Sequence, residues 1–405
     1  IKPMSYTINP DTLSSLLYPV SYRNIEPSAV IQQQVDVYVG GALAGSFLAA
    51  QTGTTGSSAV FDTNVQSFLY SDVAPVTGSK TSIFGTLDTY SLTTNTDVLK
   101  SIYCVAKNQT VSTAGFLVTS TAGQNSATAY VIPSQFYGND NDFNLSDFYQ
   151  PSASPFRFLT TNNQDRRCNA DGNIFLSFVG KGVNAGRFVF HQNSGSTAET
   201  IIDFLNTTAN NNMYSVSVGA ANIFGSTAVF HAGNFPTSPT AYNYYSVSVG
   251  YYDGSYTARS EVIDINLEPT CNDDLELHWF GKYGGAESYQ FRGLIQDLQN
   301  ANADIINISQ PWNVAASPRA NSYDKTIIKT NQRVNKRKQI KCNIPHEDAV
   351  YVASLFYSPE VYIIEGGKYV NVTISNAEIL TDDNRATDIE VNFEIVYPNK
   401  PTAQL

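Results

Sequence analysis

Charge is scarce in this 405-residue chain: Asp, Glu, Lys and Arg together make 15% of it, against roughly 25% in ordinary soluble domains. Its polar surface must come from uncharged Asn, Ser, Thr and Gln. The charge present sums to −11, which argues against indiscriminate binding to nucleic acid or to an anionic membrane. No apolar run approaches the roughly 18 residues of a membrane-spanning helix. The longest, ALAGSFLAA from Ala42, falls well short, so no membrane span is expected. The cysteines, Cys104, Cys168, Cys271 and Cys342, form no C-x-x-C pair and have no close histidines to complete a zinc set. They read as reduced structural thiols, and Cys271 with Cys342 is the one pairing that falls within a single domain.

Histidine is equally thin, and each catalytic template fails for a specific reason. His346-Glu347 opens an H-E-x-x-H, but Val350 stands where the second zinc ligand belongs. Asp140, Asp142 and Asn144 have the spacing of calcium ligands, but Leu145 replaces the required Gly and Pro151 the bidentate Glu. The glycine-rich GKGVNAG from Gly180 joins two strands, so no helix N-terminus is there to hold a phosphate. G-x-S-x-G is absent, and no carboxylate pair is marked out by its surroundings. The expectation is a non-enzymatic protein with no catalytic residue, metal or cofactor.

What the chain has is aromatic and β-branched side chains, with 25 Tyr and 22 Phe against 2 Met, a mix that suits pleated, half-buried strands. The hexapeptide Tyr-Ser-Val-Ser-Val-Gly occurs twice, at Tyr214–Gly219 and Tyr245–Gly250. In each copy the alternation sends Tyr and Val to one face and Ser to the other, as in an antiparallel strand with one dry face and one wet one. Phe175 to Gln192 and Tyr214 to Ala232 also align, each ending in Phe-His at His191 and His231. The expected fold is mainly β: two antiparallel β-sandwich-like domains followed by a small α+β domain with one helix on an antiparallel sheet. The boundaries fall at 1–20 (an N-terminal arm), 21–130 (a β domain), 131–268 (a β domain with hairpin repeats and a long surface loop at 138–168) and 269–405 (the α+β domain). That helix starts at Pro345, with acids Glu347 and Asp348 in its first turn, and stops before Pro359.

Two features point to partners. Between Arg319 and Lys341 lie eight basic residues of an acidic protein, Arg333, Lys336, Arg337 and Lys338 among them. They read either as a docking strip for an acidic neighbour or as gatekeeper charges on an exposed strand. Tyr251 and Tyr252 read as exposed aromatics at an interface. Five Asn-x-Ser/Thr triplets, at Asn108, Asn144, Asn206, Asn307 and Asn371, are what chance supplies in so Asn- and Ser-rich a chain.

The stretch LELHWFGKYGGAESYQFRG, with Trp279, Gly284-Gly285, Tyr289 and Phe291, resembles a signature of structural proteins from tailed bacteriophages of Bacteroidota hosts. Cys271 before it, FYSPEVYII at Phe356–Ile364 after it, and SPFRFLTTNNQDRRCNADGNIFLSFVG upstream extend the resemblance. It implies a virion location in a tail, baseplate, tail-tip or fibre, and function by packing against copies of itself and other virion proteins. It transfers no catalytic residue. The arm 1–20 and the loop 138–168 are then the segments expected to cross to a neighbour. The alternative is a surface adhesin or carbohydrate-binding β-sandwich, which would stack sugars on Tyr or Trp rings and make a host glycan or receptor its partner. A secreted glycosidase would need two carboxylates about 5–10 Å apart in a cleft.

Overall fold

The computed structural model describes residues 7–9, 13–15, 21–68, 84–95, 99–132, 145–148, 155–161, 165–180, 182–204, 212–270, 274–307, 327–379 and 387–398. They are mainly strand, in five sheets. In the first unit, strand Val30–Val39 lies between Ala42–Ala50 and Lys100–Val111 in a seven-stranded sheet. Gly40 and Gly41 close the hairpin with φ of 59° and 85°, the double positive φ of a type I′ turn. A four-stranded sheet faces it, and Tyr22, Val35, Val37, Phe61, Ile102 and Cys104 fill the space between. The described parts of the N-terminal arm are two short strands. Thr7–Asn9 pairs with the strand Ser21–Pro27, and Leu13–Ser15 runs parallel to Ala129–Ile132. These parts join sheets of their own chain, and the rest of the arm lies outside the described residues.

The second unit is layered. Phe175–Gly180, Asn212–Ser217 and Leu92–Asn95 form a three-stranded sheet, opposite a seven-stranded sheet built around Ala185–Gln192 and Tyr242–Tyr252. Leu176, Phe178, Tyr214 and Val216 meet Phe188, Phe190, Tyr245 and Val247 across the gap. The other face of the small sheet is covered as well. Phe175 packs with Phe84, Phe280 and Tyr362, and the Ala286 N–H donates to Ser177 Oγ at 2.9 Å. Every residue of Phe175–Gly180 is therefore buried. Leu92–Asn95, which lies within 21–130 in sequence, belongs to this sheet.

The repeat is not a series of hairpins, and here the sequence reading is corrected. The first strands of the two aligned segments pair with each other in the small sheet, Phe175 opposite Ser217 and Phe178 opposite Tyr214. Their second strands, Ala185–Gln192 and Phe230–Ala232, lie in the opposite sheet. Each segment is an arch that crosses the sandwich. The second hexapeptide runs in the outer sheet, and its Tyr245 hydroxyl donates to the Val218 carbonyl of the first copy. Nor is the serine face of the first copy wet. Ser215 donates to the Phe84 carbonyl at 2.9 Å, and Ser217 and Ser91 share a hydrogen bond at 2.7 Å. The described parts of the long loop are corrected too, because Phe148, Phe156, Phe158 and Leu159 are fully buried and Asp165–Asn169 is a strand.

In the C-terminal unit, the helix Ala349–Tyr357 lies on one seven-stranded antiparallel sheet, as its acids and flanking prolines led one to expect. Val352 and Leu355 bury against Trp279, Ile340 and Phe393, and the Trp279 indole N–H donates to Ser354 Oγ at 2.8 Å. Cys104, Cys168 and Cys342 are buried free thiols. Burial pushes Cys342 up to about 11 and the other two to about 12. Cys271 lies outside the described residues.

Candidate interaction surfaces

The basic strip lies on the strand Ile327–Pro345, between Gly293–Asn307 and Asp388–Val396. Its cations meet acids of the same sheet. Lys336 is 3.3 Å from Glu365 and 4.3 Å from the Tyr397 ring centre. Arg337 is 3.4 Å from Glu394, Lys338 is 3.5 Å from Asp297, and Lys341 is 3.0 Å from Glu390. Burial pushes Glu365 up, but the Tyr397 hydroxyl, Lys336 and Lys338 together outweigh it and hold the carboxyl below its ordinary value. Exposed pairs of this kind each contribute about 0–1 kcal/mol. Among the described side chains, their main effect is to leave little uncompensated charge for an acidic neighbour. Arg333 lies opposite Asn302 in the ladder; its side chain, with Arg319 and Lys325, lies outside the described residues.

Tyr251 and Tyr252 are half-buried, not fully exposed. Tyr252 stacks on His231, with ring centres 4.2 Å apart and planes 16° from parallel. At the other end of the same strand Tyr244 stacks on His191 at 4.1 Å and 10°. The histidines at matching repeat positions thus bracket one strand whose outward face carries Tyr244, Ser246, Ser248 and Tyr252. Arg187 makes a two-pronged contact with Glu199, at 3.1 and 3.0 Å, and lies 5.6 Å over the Tyr256 ring. Burial pushes the Tyr256 hydroxyl up to about 12, and that hydroxyl lies 3.0 Å from Ser248 Oγ.

The seam between the second and C-terminal units holds a pair that sequence reasoning misses. Arg166 Nη2 lies 2.6 Å from Glu287 Oε2 and 2.6 Å from Thr160 Oγ1, with its guanidinium 5.3 Å over the Tyr351 ring. Their side chains are 3% and 0% exposed. Burial pushes the Glu287 carboxyl above its ordinary value against the opposing charge of Arg166. Asp348 follows at the edge of the seam. Burial raises it to about 6, although the Tyr289 hydroxyl donates to it at 3.0 Å and Arg167 lies 3.8 Å away. A cleft of about 250 Å³ opens beside it, lined by Arg167, Tyr289, Arg292 and Asp388 among others. Both of its arginines are already paired with Glu268, at 3.2 and 2.8 Å. No local signal marks this seam, because Arg166 stands among polar residues in NNQDRRCNADG and Glu287 does so in GGAESYQ.

The fourth surface is Ala42–Ala50, the outermost strand of the first unit's large sheet among the described residues, which carries no charged residue. Leu43 and Leu48 are 57% and 61% exposed.

No protein-family model matches the chain, and no curated protein matches it. Among solved structures it is similar to the fibronectin(III)-like modules of Clostridium thermocellum CbhA, at 9% identity over 66% of this chain and 94% of that one, with a TM-score of 0.16. At that score the likeness carries no argument.

Proposed function

We propose that this multi-sheet, sandwich-like protein is a non-enzymatic structural subunit of a virion, of the tail, baseplate, tail-tip or fibre type, acting by fitting against copies of itself and neighbouring subunits. One observation carries the reading. Beyond the position where Asp388–Val396 stops pairing, residues 300–307 and 327–335 continue, among the described residues, as a two-stranded ribbon. At roughly 3.4 Å per residue it extends for about 30 Å. A ribbon of only two strands is marginally stable in water, and it gains stability by packing against another surface. In an assembly that surface is a neighbouring subunit. The resemblance of the Trp279 to Phe291 region to structural proteins of tailed bacteriophages supports the same reading.

Electron microscopy and sedimentation of the purified chain test it, beside a variant in which residues 300–335 are replaced by an Asn-Gly turn. The full chain is expected to form higher-order particles, and the shortened one to keep its melting transition but remain smaller. Single particles of the full chain at every concentration would overturn the proposal.

The outward face of Tyr242–Tyr252 favours a second reading, an adhesin or glycan-binding module, because its rings alternate with hydroxyls and the Arg187–Glu199 pair. A glycan-array signal lost in Tyr244→Ala supports that reading, and a blank array removes it.

A further inference from the structure

We infer that strand Ala42–Ala50 is a self-pairing edge, and that its partner is the same strand of a second copy, antiparallel across a two-fold axis at Ser46. This names a partner surface for the assembly reading and rests on it. Edge strands present unpaired N–H and C=O groups, and proteins usually blunt them with Lys, Pro or inward-pointing charges. This strand has none of these in a chain whose net charge is −11.

The occupant follows from the register. Gly45 pairs with Val37 and Leu43 with Tyr38, which leaves Ala44 as the extra residue of a bulge. The bulge brings Leu43 onto the outer face with Ser46 and Leu48, although five positions separate the two leucines in sequence. Place Ser46 opposite the second copy's Ser46 and skip Ala44. Then Leu48 faces Leu43, Phe47 faces Gly45, and Ala49 faces Ala42, every pair on one face as an antiparallel ladder requires. Leucine meets leucine outside, while inside the Phe68 ring of the same chain already covers Gly45 and stacks on Phe47 with ring centres 5.8 Å apart. Behind Leu43, Tyr38 and Tyr103 stack with ring centres 4.8 Å apart, which extends the apolar outer surface away from the axis. The nearest charge, Asp36, is held below its ordinary value first by the Ser46 hydroxyl and then by Lys107, which lies 3.1 Å away.

Sedimentation velocity on three full-length chains tests the pairing. The natural chain is expected to show a dimer or a larger species built from dimers. Leu43→Lys/Leu48→Lys sets like charges opposite each other twice and is expected to weaken that association at least about tenfold. Leu43→Glu/Leu48→Lys sets Glu against Lys in this register alone and is expected to restore it. Both leucines are exposed, so the three melting curves should coincide at dilutions where the chains are monomeric, association itself being stabilising by mass action. If both variants associate like the natural chain, the edge pairing is overturned while the assembly proposal stands. If both variants weaken association equally, the register is wrong. A natural chain that stays monomeric overturns both.

Discussion

Arg166 and Arg167 are neighbours on one strand and point opposite ways. Arg167 reaches solvent and shares its charge among Glu268, Glu347 and Asp348, whereas Arg166 is enclosed with Glu287. Removing one member of a buried pair strands the other's charge, so Arg166→Met alone is expected to cost about 3–5 kcal/mol in urea unfolding. Arg166 Nε and Nη1 find no acceptor among the described residues, so the pair is incompletely satisfied. Arg166→Met/Glu287→Leu is therefore expected to recover most of that loss. Asp348 adds a pH dependence. Its folded value, about 6, lies above its ordinary 3.8, so between these values the folded chain holds a proton that the unfolded chain has released. Stability contributed by the protonated form is complete below about pH 4 and is lost as pH rises through 6, by about 3 kcal/mol for a shift of that size. Asp348→Asn is expected to flatten this slope, read from melting temperatures at pH 4, 5, 6 and 7.

At the scale of elements, local chemistry was legible and distant coverage was not. Gly40-Gly41, Gly366-Gly367 and the acids after Pro345 each act within a few residues, and their hairpins and helix appear where those residues put them. Ser215 and Ser217 looked solvated because alternation reports only that one face differs from the other. What covers that face, residues 84–91, is more than a hundred positions away. The same distance hid the arches: a strand, a short connection and another strand look alike whether the chain returns to its own sheet or crosses to the facing one. The candidate site suffered likewise. The lysines and arginines of Ile327–Pro345 were visible, but the acids that meet them, Asp297, Glu365, Glu390 and Glu394, lie on other strands. The hexapeptide glycines are constrained by their surroundings. A Cβ at Gly219 would lie 2.3 Å from the Ile174 nitrogen, and one at Gly250 would lie 2.2 Å from the Thr257 carbonyl oxygen. Gly219→Ala and Gly250→Ala are each expected to destabilise by about 1–3 kcal/mol, the usual cost of overpacking, measured by thermal unfolding.

Across the whole molecule, the second and C-terminal units are held to each other by buried contacts. Phe84 and Phe175 pack against Phe280 and Tyr362, Arg166 reaches Glu287, and Asn169 and Gln290 exchange hydrogen bonds at 2.9 and 2.8 Å. Two surfaces are proposed for neighbours, the uncharged edge in the first unit and the ribbon in the last. Attachment through such surfaces is the central claim, and the molar mass of the purified full-length chain, measured by light scattering across a hundredfold range of concentration, tests it most directly. Assembly predicts an average mass that climbs from 44.2 kDa with concentration to at least twice that value; a mass that stays at the single value throughout would contradict it.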